Sequence, residues 1–387
     1  MLYTLATALA GTFVSPYVLD SPGGVLGVVI LYLGLFAACP LGAYLGGQFN
    51  RTDLGRNLPW SFAAYGVFYI ALFLLGLAHQ VSLVSLALLG VVQGLGLGLY
   101  FVTINVLTYD LVSDSGREAF FGQLMVYGGI IAVLTPAIGG AVIQGLHMVG
   151  YGAVFLGAFL LFFWSAAASR RLATVQRRRP FALRQTLLAQ RRLWRQALAM
   201  YFYQGMRDGL FTFAFGLALY YRLENTATYG ADLSIFAVIS IASSWLVSRY
   251  LKARHRGVAM WIGLVFHAGA ILFMAFTLSV TSLLTYGFVV NSAFTVWYIP
   301  FFSVNFDAIQ RSGLGRLRTE SLVAREISFG VGRVIILAAS AILVWQLGMI
   351  GLQIMMAIAV IPFVISIAIA QRISVAPPRH PQDTVPG

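Results

Sequence analysis

The sequence predicts an all-α polytopic membrane protein with twelve transmembrane helices in two pseudo-symmetric six-helix bundles. Three observations carry that prediction. Of 387 residues, 59% are hydrophobic and only 10% charged, with a mean hydropathy of +0.85, whereas about a quarter of a soluble domain is charged. The apolar residues come in blocks of about twenty, the length that crosses a hydrocarbon core as a helix. The alternating ten-residue pattern of a membrane barrel is not seen. Finally, the basic residues crowd every second loop.

The blocks fall near 2–19, 25–47, 58–78, 82–109, 119–144, 149–168, 196–221, 229–250, 257–278, 282–307, 321–345 and 349–371. Arg51 and Arg56, Arg117, "SRRLATVQRRRP" with "RRLWRQ", "RYLKARHR", the Arg311–Arg318 turn and Arg372 form one class of loop. "DSPGG", "AHQVS", "HMVGYG" and "RLENTATYGAD" form the other, which carries almost no Lys or Arg. The two classes alternate, so the positive-inside rule predicts that both termini are cytoplasmic in a bacterial inner membrane. The same placement explains the net charge of +13 as topology marking, so no nucleic-acid partner is expected. The single cysteine, Cys39, excludes an internal disulfide and reads as a small core residue. The chain opens on apolar sequence without a basic n-region, which predicts a retained first helix rather than a cleaved leader.

The longest and most basic loop divides six blocks from six. The expected organisation is a bundle at 1–168, a cytoplasmic linker at 169–195, a second bundle at 196–371 and a disordered tail at 372–387. An internal repeat of about two hundred residues follows from it. "NVLTYD" ends the fourth block at Asp110 and "FSVNFD" ends the tenth at Asp307; "GGQFNRTDLGRNLPW" and "VSRYLKARHRGVAMW" follow the second and eighth.

With these features the chain resembles the major facilitator superfamily, over nearly its whole length. "GGQFNRTDLGRN" resembles the family's signature loop, which implies a gating role for Arg51, Asp53 and Arg56; Gln48 stands where the family has an aspartate. The alternative for those arginines is topology marking. "GVVQGLGLG" resembles the proton-coupling motif of drug antiporters at Gln93 and Gly94, with Gly90 in place of its arginine. Read from the residues alone, Gly94, Gly96 and Gly98 permit close helix approach. "GQLMVYGGIIAVLTPAIGG" is similar to the antiporter motif at Gly122, Pro136, Gly139 and Gly140, which implies export by antiport. "NVLTYD", "GMRDG" and "REISFGVGR" resemble a bacterial branch of transporters without an assigned substrate.

Ionisable residues inside the blocks belong to the second half. Arg207 and Asp208 lie in the seventh; Arg325, Glu326 and Arg333 lie in the eleventh. At 1.5 Å per residue, Arg207 and Asp208 are roughly 18 Å from Arg195, near the middle of a ~30 Å core. A charge there costs roughly 3 kcal/mol on insertion scales. Helix neighbours point about 100° apart, so each of the two needs a partner on another helix. The expected pairs are Asp208 with Arg333, and Arg207 with Glu326 or Asp307. These residues, with Asn105 and Gln93, are the candidate substrate or proton site; the alternative is an ion-pair network that ties helices together. His267 is expected to be a satisfied interhelical histidine, with a proton carrier as the alternative. Tyr201, Tyr203, Trp297 and Tyr298 either line a cavity or pack.

No catalytic, cofactor or metal-ligand motif appears, so neither enzymatic activity nor a cofactor is expected. The functional expectation is a monomeric secondary transporter with a small-molecule substrate, protons as coupling ion and lipids as surroundings. Export of an amphiphilic or anionic molecule is the leading form. A lipid flippase of the same fold and a non-transporting scaffold or sensor are the alternatives.

Overall fold

A computed structural model describes residues 1–49, 57–112, 117–170, 181–223, 226–251 and 255–375. Every described element is helical. Ten described helices are long and apolar enough to cross a membrane. One of them carries two spans, and the charged seventh span falls short of the others in hydropathy, so the twelve expected spans are all present.

The first span, Leu2–Leu19, contains a π-helical turn at Thr7–Gly11. The second, third and fourth are Gly24–Phe49, Asn57–Leu77 and Leu83–Leu111. The fifth and sixth lie within Arg117–Ser169 and are two helices that meet in a kink at the non-helical residue His147 (φ 49°, ψ −124°). The seventh to eleventh are Arg192–Leu223, Thr226–Tyr250, Arg256–Thr277, Val280–Arg311 and Arg318–Leu347. The twelfth is broken at Ala359 into Met349–Ile358 and Val360–Val375. The basic linker contributes a short helix at Leu183–Leu187. Just before it, the Ala182 backbone N–H donates to buried Glu320 Oε1 at 3.2 Å.

The repeat is visible at both ends of the fourth and tenth spans. Ser82 caps the fourth by accepting from the Ser85 backbone N–H, and Ser85 returns the bond to the Ser82 N–H. Ser279 and Ser282 do the same for the tenth. Ser279 and Asp307 each follow their first-half counterparts, Ser82 and Asp110, by 197 positions. Such reciprocal caps satisfy two orphan backbone donors at once, and here they set both helix starts in the same register.

The second and fourth spans pack backbone to backbone. A side chain at Gly94 would collide with the Leu35 carbonyl, and one at Gly98 with the Cys39 carbonyl, as the small-residue reading requires. Across the halves, the second span meets the eleventh and the fifth meets the eighth. Pro40 abuts Gly330, and the Pro136 carbonyl abuts Gly230. Glycines at these crossings let the two bundles touch without interdigitating side chains.

Candidate functional site

The seventh and eleventh spans approach as closely as the second and fourth do. Gly205 lies against the Phe329 carbonyl, Gly209 against the Arg333 backbone, and Gly332 against the Phe202 carbonyl. This contact brings five ionisable residues of the bundle interior near one another. All but Asp208 are buried.

Asp208 and Arg333 form the expected pair. Arg333 Nε and Nη2 both donate to Asp208 Oδ2, at 2.9 and 2.6 Å. The Arg333 guanidinium is sandwiched between the rings of Phe329 at 3.9 Å and Phe36 at 4.4 Å. Phe36 belongs to the second span, so the pair lies on the boundary between the halves. The Asp208 side chain keeps 27% exposure against 9% for Arg333, which leaves the carboxylate open to solvent from one side.

Arg207 departs from expectation. It does not meet Glu326 or Asp307. Arg325 Nη2 donates to Glu326 Oε1 at 2.6 Å, bending back along its own helix although adjacent residues diverge by about 100°. The length of the arginine stem and the Tyr201 ring, 5.2 Å from the guanidinium, make that turn possible. Asp307 lies ten residues, about 15 Å, along the tenth span from Trp297. There it meets Arg256 at 3.5 Å and Arg311 at 4.0 Å. With both carboxylates taken, Arg207 turns to the ninth span: its Nη2 is 2.5 Å from His267 Nε2. Phe211, Trp297 and Phe363 surround the guanidinium at 5.3–5.5 Å.

His267 is fully buried and accepts at Nδ1 from Trp297 Nε1, 3.1 Å away. It is interhelical, as expected, but its partner is a charged group that the sequence did not link to it. Trp297 is fully buried and Tyr201 nearly so; both pack rather than line the cavities described below. Tyr298 packs as well, stacked on Phe294 at 4.6 Å and edge-on to Trp297 at 5.5 Å between ring centroids.

A cavity of about 340 Å³ opens beside Arg207 and Asp208, with Phe211, Tyr286, Asn291 and Phe294 among its other walls. A second, of about 410 Å³, shares Ser240, Asn291 and Phe294 with it and reaches Thr12 and Pro136 of the first half. The phenylalanines and Tyr286 are the wall residues that sequence reading missed. Nothing in a generally aromatic chain singles them out. Asn105 donates to its own helix at the Phe101 carbonyl, 2.7 Å away, and Gln93 is half-buried; neither lines these two cavities. Pro136 and Gly140 stand against Gly230 of the eighth span, and Gly139 against Phe13. Arg51, Asp53 and Arg56 lie outside the described residues, as does the side chain of Asp110.

Twelve spans in repeated halves, with a cavity and a charge pair where the halves meet, are the architecture of a membrane transporter. A model of the Major Facilitator Superfamily matches residues 1–318, and the chain belongs to that family. It is 27% identical over 342 residues to the uncharacterized protein YqgE of Bacillus subtilis, covering 86% of this chain and 78% of that protein. In fold it is similar to the Escherichia coli fucose:proton symporter FucP, with a TM-score of 0.68, 13% identity and 96% of both chains covered. It is also similar to a bacterial homologue of the iron transporter ferroportin in an outward-facing state, with a TM-score of 0.65, 15% identity and 97% of both chains covered.

Proposed function

We propose that this protein is a proton-coupled exporter of a small amphiphilic or anionic molecule, with Asp208 as the proton-binding group. The observation that carries the reading is the Asp208–Arg333 pair. Asp208 lines a cavity, keeps partial access to solvent, and holds an arginine stacked on a ring from the opposite half. Protonation would remove the negative charge and leave Arg333 without its counter-ion. The sandwich between Phe36 and Phe329 would then no longer be anchored to the seventh span. Loss of that anchor loosens the contact of the second and eleventh spans and lets the halves rock.

On this reading the bundles at 1–168 and 196–371 are the rocking bodies. The 169–195 linker and both termini face the cytoplasm of a bacterial cell. The protein acts as a monomer, with no chemistry of its own and no cofactor. Export follows from the antiporter-like Pro136–Gly140 segment, which stands at the crossing of the fifth and eighth spans. The cavities weigh against a scaffold, which needs none.

The test uses spin labels at Leu146→Cys and Val280→Cys in a Cys39→Ser background. Their separation is measured in neutral and in acidic buffer. The distance distribution should shift with acidification, and Asp208→Asn should hold one distribution at both. A wild-type distribution indifferent to acid, or an Asp208→Asn protein that still responds, refutes the assignment.

A further inference from the structure

Apart from Glu320, which accepts from the Ala182 backbone N–H at the start of the eleventh span, the interior charges of the seventh and eleventh spans do not balance. Arg207, Arg325 and Arg333 are three cations; Asp208 and Glu326 are two anions, each bonded to one arginine. Arg207, only 5% exposed, is the cation left over. Among the described residues no carboxylate oxygen lies within ion-pair distance of it, and its Nε has no hydrogen-bond partner. Its cover of aromatic faces is worth about 2 kcal/mol when desolvated, but supplies no acceptor in the plane of the guanidinium.

His267 does not fill that need. Neutral imidazole has one acceptor nitrogen. The Trp297 indole N–H donates to Nδ1 at 3.1 Å, which places the ring proton on Nε2, facing the Arg207 N–H donors at 2.5 Å. The other tautomer sets the conflict against the indole instead. Arg207, His267 and Trp297 together are therefore one acceptor short. The 340 Å³ cavity, with Arg207 in its wall, is where an acceptor can enter.

We infer that Arg207 anchors the anionic group of an organic anion whose apolar body lies against Phe211, Tyr286 and Phe294. The inference rests on the transporter reading above and names the chemical class of its cargo. An oxyanion accepts two parallel N–H bonds from a guanidinium and cancels the surplus charge. The mainly apolar walls and small volume suit a body of one or two rings. Arg207 is the positioning group for the charge, and Asp208, one residue on, remains with Arg333.

The experiment is binding without a gradient, so it can fail while the Asp208 test succeeds, and the reverse. Protein in phosphatidylcholine nanodiscs is titrated with 2-naphthoate and with its neutral isostere 2-naphthamide, following thermal unfolding. The acid should bind at least about tenfold more tightly than the amide, the discrimination expected of a charged hydrogen bond. Arg207→Met should lose the response to the acid, and Arg256→Gln, which lies outside the cavity walls, should keep it. If Arg207→Met does not fold, the acid–amide comparison on the unaltered protein decides. Equal affinity for acid and amide, or an undiminished response in Arg207→Met, overturns the proposal. An equal response to chloride or inorganic phosphate overturns the organic part. Abolition of naphthoate binding in phosphatidylglycerol nanodiscs reassigns the site to a lipid headgroup and also overturns it.

Discussion

The pair formed by the second and fourth spans and the pair formed by the seventh and eleventh are built by the same device and do different things. In both, glycines bring two backbones into contact: Gly94 and Gly98 against Leu35 and Cys39 in one, Gly205 and Gly332 against Phe329 and Phe202 in the other. The first pair contains no charged residue within Gly24–Phe49 or 83–109. The second pair carries Arg207, Asp208, Arg325, Glu326 and Arg333. Close packing alone makes a rigid wall. Close packing around charges makes a wall whose cohesion depends on protonation state and on bound ligand, because both alter the electrostatic balance that the contact needs. On the proposed mechanism, the difference assigns rigidity to one half and responsiveness to the other.

The largest expected effect separates the two kinds of wall. Arg333→Ala should destabilise the protein by about 3 kcal/mol, because it strands a carboxylate that keeps only partial solvent access. Adding Asp208→Asn should recover part of that loss. Thermal unfolding of the two singles and the double gives the coupling, expected at about 1–3 kcal/mol. A double mutant no better than the sum of the singles would mean that the bond contributes nothing to cohesion.

Next come the glycines. Gly94→Val and Gly332→Val each force a side chain into a facing backbone and should each cost about 1–3 kcal/mol. The comparison sharpens in their response to acid. Gly94→Val should retain the acid-induced change between Leu146 and Val280 labels, whereas Gly332→Val should lose it. Identical behaviour of both variants would erase the distinction drawn between the walls.

His267→Leu should cost about 2 kcal/mol, since it leaves the Trp297 N–H and one Arg207 nitrogen without their polar neighbour. Because 2-naphthoate supplies the missing acceptor, its stabilising shift should be larger in this variant than in the unaltered protein. The smallest effect belongs to Arg256→Gln. Its bond to Asp307 is partly exposed, so the loss should stay below about 1 kcal/mol, with the acid response unchanged.

Much of this was legible from residue order. Span count and position follow from apolar length, since each helix must satisfy its own backbone in lipid. The Asp208–Arg333 pair was readable because both residues sit at similar depth and neither has a partner on its own helix. The small-residue role of Gly94 and Gly98 was readable because little else can be done with glycine at that spacing. The break between the fifth and sixth spans at His147 was readable as well, because "HMVGYG" carries the small residues that ordinarily end helices.

What the sequence by itself determined is the number of helices, the repeat that carries Asp110 to Asp307, and the position of each charge along its helix. Those quantities depend on distance along one helix, which rises by a constant 1.5 Å per residue. What only the tertiary structure decided is which carboxylate Arg325 and Arg333 receive, and that Arg207 receives none among the described residues. That outcome depends on the rotation of the seventh, ninth and eleventh spans about their axes and on which of them are neighbours. Both are set by packing among residues far apart in the chain. Arg325 reaching back to Glu326, and His267 meeting Arg207 across sixty positions, are results of that packing.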